Sequence, residues 1–239
     1  MKTSTALLLS LAATVPLAAT AATTPPVAPF TATYKVLRKG SPLGTSTLSL
    51  HRNDDGSWTY SSSLEAESGL AAVLGGSLEE SSRFEFTDDR VRALAYDYRM
   101  HTSLKSRQLH MRMDWKDGRV TVNDGKGTYQ YDTEPGLVER HLLVLALGRA
   151  AARGDTDISL TVGGKKHAKT QTYRVTGKQR LDVPAGSVEA IHIERTHDDK
   201  GYQVWFAPEK YGTAPVKLSQ ESGGDITLLL KSYKASTAE

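Results

Sequence analysis

The sequence predicts a mainly β protein, a single curved antiparallel sheet wrapped around one main α-helix. Three observations predict it. Turn signals built from Gly, Pro, Asn and Asp recur along the chain and cut it into short segments. Most of those segments alternate apolar with polar residues, the period of a strand with one buried face. One stretch, Val138–Arg153, instead carries a continuous apolar run from Leu142 to Leu147. A helix that is apolar all round is a buried one.

The first segment is a secretory signal by its pattern. Lys2 is the positive start, Ala6–Val15 the apolar core, and Ala19-Thr20-Ala21 the small-residue cleavage site of Met1–Ala21. The core is shorter than the roughly 20 residues a spanning helix needs, so a cleaved signal fits it better than an uncleaved anchor. Ala22–Pro29, ATTPPVAP, reads as a flexible leader. One β-rich domain is expected over residues 30–235, with no internal repeat and no linker.

Within that domain Phe30–Leu37 alternates Phe30, Ala32, Tyr34 and Val36 on one face, and Thr45–Arg52 returns after a Gly- and Pro-containing turn. Asn53-Asp54-Asp55-Gly56 turns the chain into Trp58–Ala66. Ser68–Gly76, SGLAAVLGG, breaks the pattern and reads as a short helix or packed loop, or alternatively as a flap over a cavity mouth. Strands follow at Leu78–Phe86, Val91–Met100 and Gln108–Trp115, the last with Leu109, Met111, Met113 and Trp115 set against His110, Arg112 and Asp114. A short pair, Arg119–Val122 and Thr128–Tyr131, precedes the helix. Pro135 near the first turn, Glu139 at the positive end, and Arg149, Arg153 and Gly154 at the close suit a helix over Val138–Arg153. Ile158–Val162 and Gln171–Thr176 are strands around the basic tip Lys165-Lys166-His167.

The stretch Leu181–Leu218 is an unbroken hairpin run. Pro184-Ala185-Gly186 is a turn, because Pro cannot donate to a ladder and Gly tolerates positive φ. Ser187–Arg195 alternates, Asp198-Asp199-Lys200-Gly201 turns, Tyr202–Phe206 is β-branched and aromatic, Ala207-Pro208-Glu209 stops it, and Pro215–Gln220 starts again. Ile226–Tyr233 is the final strand. The pattern LDVPAGSVEAIHI, then WFAP, then PVKL resembles the bacterial envelope domain-of-unknown-function family numbered 3108. Tyr34-Lys35-Val36 with Gly40 and Leu43-Gly44, and Phe84–Tyr98 with its turn at Asp88-Asp89-Arg90, also resemble that family, over about Phe30 to Tyr233. These are turn and packing residues, so the resemblance implies a fold and no activity. In its hairpin-rich pattern the family is similar to periplasmic lipoprotein carriers, whose curved antiparallel sheet forms a half-open barrel around a helix.

Composition narrows the function classes. Hydrophobic residues make up 38% and charged ones 24%, which excludes wholesale disorder. A net charge of +3 with both signs interspersed does not supply the concentrated basic face that nucleic acid needs. The chain has no Cys, which excludes a lipid-carrying cysteine, disulfides and thiol chemistry. No later segment is long and apolar enough to be a transmembrane helix. The expected location is the periplasm, without lipidation.

Motifs for nucleophilic, metal or phosphate chemistry are absent: no GxSxG, SxxK or HExxH, and no Gly-rich loop between strand and helix. No cofactor or metal is expected. His110, Arg112 and Asp114 could serve as acid, base and anion clamp, but the solvated face of a sheet explains them as well. His192 and Glu194 share a strand face without the further ligands a metal requires, and His197-Asp198-Asp199 is explained as a polar turn. Lys165, Lys166, His167 and Lys169 form a tip that could touch an anionic surface. The aromatics Trp58, Tyr60, Tyr96, Tyr98, Trp115 and Trp205 all fall on strands, and an aromatic-lined concavity is a usual small-molecule or lipid site; core packing against the helix is the alternative. With Tyr at 10 and Phe at 4, the balance leans slightly toward a partly wet cavity, since buried Tyr wants a hydrogen-bond partner, while core packing accounts for these aromatics at least as well. Three readings follow: a non-enzymatic binding or carrier protein for an apolar or amphiphilic envelope ligand, an envelope hydrolase with a dispersed carboxylate and His site, or a structural or assembly factor that binds an envelope protein through a sheet edge or the basic tip.

Overall fold

The computed structural model describes residues 27–69, 75–87, 90–196, 201–222 and 224–236. The signal segment Met1–Ala21 and the turn His197-Asp198-Asp199 lie outside these residues, as do 22–26 of the leader, 70–74 of the Ser68–Gly76 loop, and Asp88 and Asp89.

Among the described residues fifteen strands form one sheet. The first eight are β1 (Phe30–Arg38), β2 (Ser41–Arg52), β3 (Trp58–Ala66), β4 (Ser77–Thr87), β5 (Arg90–Thr102), β6 (Lys105–Asp114), β7 (Arg119–Asn123) and β8 (Thr128–Asp132). They follow one another as an antiparallel meander. After the two-residue β9 (Val138–Glu139) and the helix α1 (Leu142–Arg153) come β10 (Asp157–Gly163), β11 (Ala168–Val183), β12 (Gly186–Arg195) and β13 (Tyr202–Phe206). A single helical turn, α2 (Pro208–Tyr211), then leads to β14 (Pro215–Gln220) and β15 (Ile226–Ala235). Strands β10 to β15 form the second meander. The two halves join where β1 lies antiparallel to β15, Phe30 opposite Ala235 and Arg38 opposite Ile226.

The sheet is curved and open. Its free ends are β8 and β9, and among the described residues no ladder joins them. Side chains close the distance instead: the Tyr131 hydroxyl on β8 donates to the Gly164 carbonyl at 2.9 Å, and Lys165 pairs with Asp124. The backbone N–H of Ala93 on β5 reaches the Leu137 carbonyl beside β9. Register shifts at Thr33/Tyr34, Val36/Leu37, Arg83/Phe84, Val175/Gly177 and Trp205/Phe206 supply the bends. A bulge leaves one residue unpaired and increases local twist, which curls a sheet.

Alternation sets the inner face. Phe30, Ala32, Tyr34 and Val36 of β1 are buried, as are Met111 and Met113 of β6 and Val120 and Val122 of β7. Leu142, Leu143, Leu145, Ala146, Leu147 and Ala150 of α1 are also buried. Elements β5, β9, β10, β13 and α2 pack against that helix. At about 2 kcal/mol per fully buried Leu, the helix is a major part of the core.

The helix begins at Leu142 rather than at Val138. Val138 and Glu139 pair in parallel with Val162 and Gly163, and Pro135 lies ahead of that pairing instead of in a first helical turn. Glu139 still serves the positive end, from outside it: its carboxylate accepts the N–H groups of His141 (2.6 Å) and Leu142 (2.9 Å). Strand β11 is continuous over a stretch whose sequence suggested two pieces, because the bulge at Gly177, with φ of 131°, absorbs the irregularity. The end of the leader is tied down: Val27 packs on the core and the Pro29 carbonyl accepts the Ser236 N–H at 2.9 Å.

Gly148 marks the closest approach of α1 to its surroundings. A Cβ there would sit 2.9 Å from Phe206 Cε1 and 3.0 Å from the Thr213 carbonyl oxygen. Ala in place of Gly gains about 1 kcal/mol of helix propensity, whereas overpacking against a backbone oxygen costs about 1–3 kcal/mol. Gly148→Ala is therefore expected to lower the urea midpoint; a raised midpoint would show that the helix does not press on β13 as described.

Candidate ligand-binding site

Two adjoining cavities lie at the end of the sheet where α1 begins. The inner one, about 530 Å3, is walled by Val36, Leu48, Leu143, Val144, Leu218 and Leu228, with Tyr60, Tyr202, His141 and Arg195 among its polar lining. The outer one, about 1030 Å3, opens between hairpin tips and is lined by Tyr96, Met100, Leu109 and Met111 together with several charged side chains. Tyr98 and Arg140 line both.

Arg140 is held at this boundary from three sides. Its Nε donates to the Tyr96 hydroxyl at 2.7 Å, its Nη2 donates to Glu80 Oε1 at 2.7 Å, and its guanidinium lies over the Tyr98 ring at 4.5 Å. The Tyr96 hydroxyl in turn donates to Glu80. Burial alone would raise the Glu80 carboxyl, but a protonated His141, Arg140 and the hydrogen bonds from Tyr96 and Arg140 outweigh it and hold it below its ordinary value. His141 is neutral at pH 7, so there Arg140 and Tyr96 carry the effect. Tyr96 is pushed well up, first by burial and then by the Glu80 charge.

Behind Arg140 lies a second, drier cluster. Ser82 Oγ donates to Glu139 Oε1 at 2.6 Å and lies 2.8 Å from His141 Nδ1. The His141 ring lies against Tyr60, centroids 4.8 Å apart and planes tilted by 37°. Ser82 and Glu139 are fully buried and His141 is 7% exposed. Burial raises the Glu139 carboxyl to about 7, against the hydrogen bonds from Ser82 and from the His141 and Leu142 N–H groups. Burial also lowers His141 to about 4.

The trio Ser, His and Glu invites comparison with a nucleophile and its base, and the geometry answers it. A base must accept the serine proton while a third group orients the base. Here the Glu139 carboxyl is hydrogen-bonded to Ser82 Oγ itself, so it meets the serine instead of orienting the imidazole, and His141 Nδ1 lies against the same hydroxyl. Nε2 of His141 has no partner among the described residues, and Ser82 has no exposure through which a substrate could meet it. The trio is a structural junction between β4, β9 and the start of α1.

Of the aromatics singled out by sequence, Tyr60 and Tyr98 line the inner cavity, and Tyr96 and Tyr98 the outer. The three tryptophans line neither. Trp58 meets Phe86 edge-on. Trp115 donates its ring N–H to the Ala93 carbonyl at 2.7 Å. Trp205 stacks flat on His192 at 4.4 Å and donates to Gln179 at 2.9 Å. The enzyme candidates are not brought together. His110 and Arg112 both pair with Asp97 on the neighbouring strand, Asp114 accepts the turn N–H groups of Lys116 and Asp117, and His192 is held by Thr176 and Gln203. Strands β6 and β12 have β5 through β1 and β15 through β13 between them, and His110, Asp114, His192 and Glu194 line neither cavity. In the basic tip, Lys165 pairs with Asp124, and Lys165 and Lys166 lie over Tyr129. Sequence reading missed Arg140, Glu80, His141 and Ser82; Glu139 was visible only as an acid near a helix start. Among the described residues no three His, Asp or Glu side chains could share a metal ion, and no helix is long and apolar enough to cross a membrane.

Fold and site together define a class: β proteins built on one curved open sheet, with an apolar inner cavity entered beside a charged cleft. The family model described as "Protein of unknown function (DUF3108)" matches residues 29–231, and the chain belongs to that family. No curated protein matches. Among solved structures the chain is similar to the "Beta-barrel-like Protein of Domain of Unknown Function DUF1849" from Brucella abortus, at 11% identity and a TM-score of 0.57, over 88% of this chain and 99% of that one. That likeness is one of fold. Weaker similarities, both with a TM-score of 0.31, are to the MucA/MucB complex of Pseudomonas aeruginosa, at 13% identity over 88% of this chain and 53% of that one, and to MucB, at 11% identity over 89% and 55%. At that score they say nothing about this fold.

The buried cluster makes a pH prediction. Glu139, raised from 4.5 to about 7, contributes stability that is present below pH 4.5 and lost as pH rises through 7. His141, lowered from 6.5 to about 4, contributes stability that is present above pH 6.5 and lost as pH falls through 4. Between 4.5 and 6.5 the two slopes oppose and cancel. Glu139→Gln should therefore expose the His141 slope, with stability rising by on the order of 3 kcal/mol from pH 4 to 6.5. Urea midpoints across that range would check it; an unchanged pH profile in the variant would refute the assignment.

Proposed function

We propose that this protein is a non-enzymatic binding or carrier protein of the bacterial periplasm, exported by the signal Met1–Ala21 and not lipidated, which holds an apolar or amphiphilic envelope ligand. In this reading the curved sheet wraps α1 as in the periplasmic lipoprotein carriers, and the ligand lies between them. The observation that carries the reading is the inner cavity. Its volume of about 530 Å3 and its mostly apolar wall with a few convergent polar groups suit a small-molecule or lipid-chain site, which typically spans roughly 300–1,000 Å3. Tyr60 and Tyr98 contribute ring faces to that wall. The buried Ser82 and the separated His and carboxylate pairs argue against a hydrolase at this place.

Two measurements test it. Native mass spectrometry on protein purified gently from the periplasm, followed by solvent extraction, should find a co-purifying amphiphile; a clean unliganded mass that persists after envelope lipids are added would remove the carrier reading. Filling the cavity from the helix side with Val144→Trp should weaken binding of a fluorescent apolar probe by about tenfold, or ~1.4 kcal/mol, with the far-ultraviolet spectrum unchanged. Probe affinity that ignores the substitution would place the ligand elsewhere. N-terminal sequencing of the exported chain should begin near Ala22.

A further inference from the structure

The outer cavity says what kind of head such a ligand carries. Arg99, Lys105, Arg107, Lys126, Arg140 and Lys165 line it, against Glu79, Asp124 and Glu139. Asp124 is taken by Lys165, and Glu139 is turned into the buried junction with Ser82. Arg99, Lys105, Arg107 and Lys126 are exposed and make no ion pair among the described residues. These cations arrive from separate hairpins: Arg99, Lys105 and Arg107 from β5 and β6, Lys126 from the turn after β7, and Lys165 from the turn after β10. Of these only Lys165 belongs to a basic stretch of sequence, the tip at 165–169; the curvature of the sheet brings the others to it. Glu79 remains as the one exposed acid on this lining, so the cleft carries a net positive charge, and an excess of one sign around a cleft with low-dielectric walls raises the local concentration of opposite charge.

Arg140 connects this cleft to the inner cavity. Its side chain is 58% exposed, and its hydrogen bonds use Nε and Nη2, leaving Nη1 with none among the described residues. A guanidinium fork suits the paired oxygens of a carboxylate or phosphate. The inner wall beyond it is mostly apolar, with Arg195, Gln171 and Gln220 also on it. We propose that the ligand is a single-chain amphiphile with an anionic carboxylate or phosphate head: the chain occupies the inner cavity, and the head sits in the outer cleft between Arg140 and the hairpin cations. This deepens the binding reading above and rests on it. The inner volume suits one chain, and Arg140, the cation that lines both cavities, stands between that chain and the hairpin cations of the outer cleft.

The test uses the mature full-length chain at low ionic strength. Three ligands carry the same fluorescent acyl chain: the free acid, its neutral methyl ester, and the monoacyl glycerol phosphate. Inorganic phosphate serves as the head without a chain. Lys105→Gln, Arg107→Gln and Lys126→Gln are combined in one variant, since these exposed side chains are not ion-paired and their loss leaves the core untouched. The wild type should bind an anionic ligand about tenfold tighter than the ester, as several weak exposed ion pairs together provide, and the preference should shrink in 0.5 M salt. The triple variant should lose most of that preference while its affinity for the ester stays the same. The tighter of acid and phosphate identifies the head. Equal binding of acid, phosphate and ester by the wild type, or an undiminished preference in the variant, would overturn the anionic head and leave the binding reading standing. Inorganic phosphate that competes as well as the acyl ligands would show a free-anion site and overturn the chain-and-head arrangement. No binding of any acyl ligand, ester included, would bring down the binding reading itself.

Discussion

Phe30 faces Ala235, and the nine residues of β1 stay paired with β15 to the far end of the strand. This ladder stitches the two ends of the domain together: Thr33 and Ser232, 199 positions apart, share a hydrogen bond of 2.7 Å across it. Every other long ladder joins strands that are neighbours in sequence. Those hairpins can form locally, whereas the β1–β15 pairing must close nearly the whole chain, at a cost that grows only with the logarithm of loop length. Once it forms, the rest of the topology is constrained. The two meanders run outward from a central seam, so the middle of the chain must emerge at one free edge and re-enter at the other. The segment that makes this crossing holds β9 and α1, so the most apolar stretch of the domain packs against both meanders, on β5 of the first and on β10 and β13 of the second.

The crossing has to be fixed at its start, and the buried junction does this. Two residues of β9 pair with β10, and the side chain of the second, Glu139, turns back to receive the first free N–H groups of the helix and the hydroxyl of Ser82 on β4. One carboxylate thus ties together the second meander, the first meander and α1. A buried carboxylate is costly unless hydrogen-bonded, and here three donors reach it while its proton affinity rises. Arg140 follows directly in sequence. Its place between the cavities is therefore set by the junction and not by its own contacts alone; Glu80, Tyr96 and Tyr98 then hold its guanidinium. The site inherits its rigidity from the same residues that start the helix.

Much of the sheet was legible because its strands are bounded by chemically explicit turns. Trp58–Ala66, Tyr202–Phe206 and Pro215–Gln220 were readable to the residue, since Gly, Asp or Pro brackets each. The helix start was misread because β9 carries no local signal: Val138 and Glu139 are good helix residues beside an apolar run, and their pairing partner is on a distant strand. The site was only partly legible for a related reason. Alternation shows that Tyr60, Tyr96 and Tyr98 share strand faces, but the end of the curved sheet at which a cavity forms depends on bulges and on the crossing of α1. The tryptophans carried the stronger aromatic signal and went to packing: Trp205 against His192, Trp115 against the Ala93 backbone. Arg140 and the cations of the outer cleft look in sequence like ordinary surface charges, because what gathers them is the meeting of three hairpin tips.

The tyrosines of the interior bear on whether this core serves stability alone. Tyr34 and Tyr60 are at most 1% exposed, and their hydroxyls, with that of Tyr202, have no partner among the described residues. Leaving a buried hydroxyl unpaired costs about 1–3 kcal/mol, and Phe at the same positions would keep nearly all of the apolar burial without that cost. Burial drives all three hydroxyls far toward the neutral form, so they act as dipoles and not as charges. Tyr60 and Tyr202 line the inner cavity directly, and Tyr34 stands close enough to Tyr60 to affect its ionisation. Local departures of this kind concentrate where function and stability make different demands, and here Tyr60 and Tyr202 lie on the wall of the mostly apolar cavity beside Arg140, where the proposed chain would have ring faces for walls and a guanidinium at its mouth.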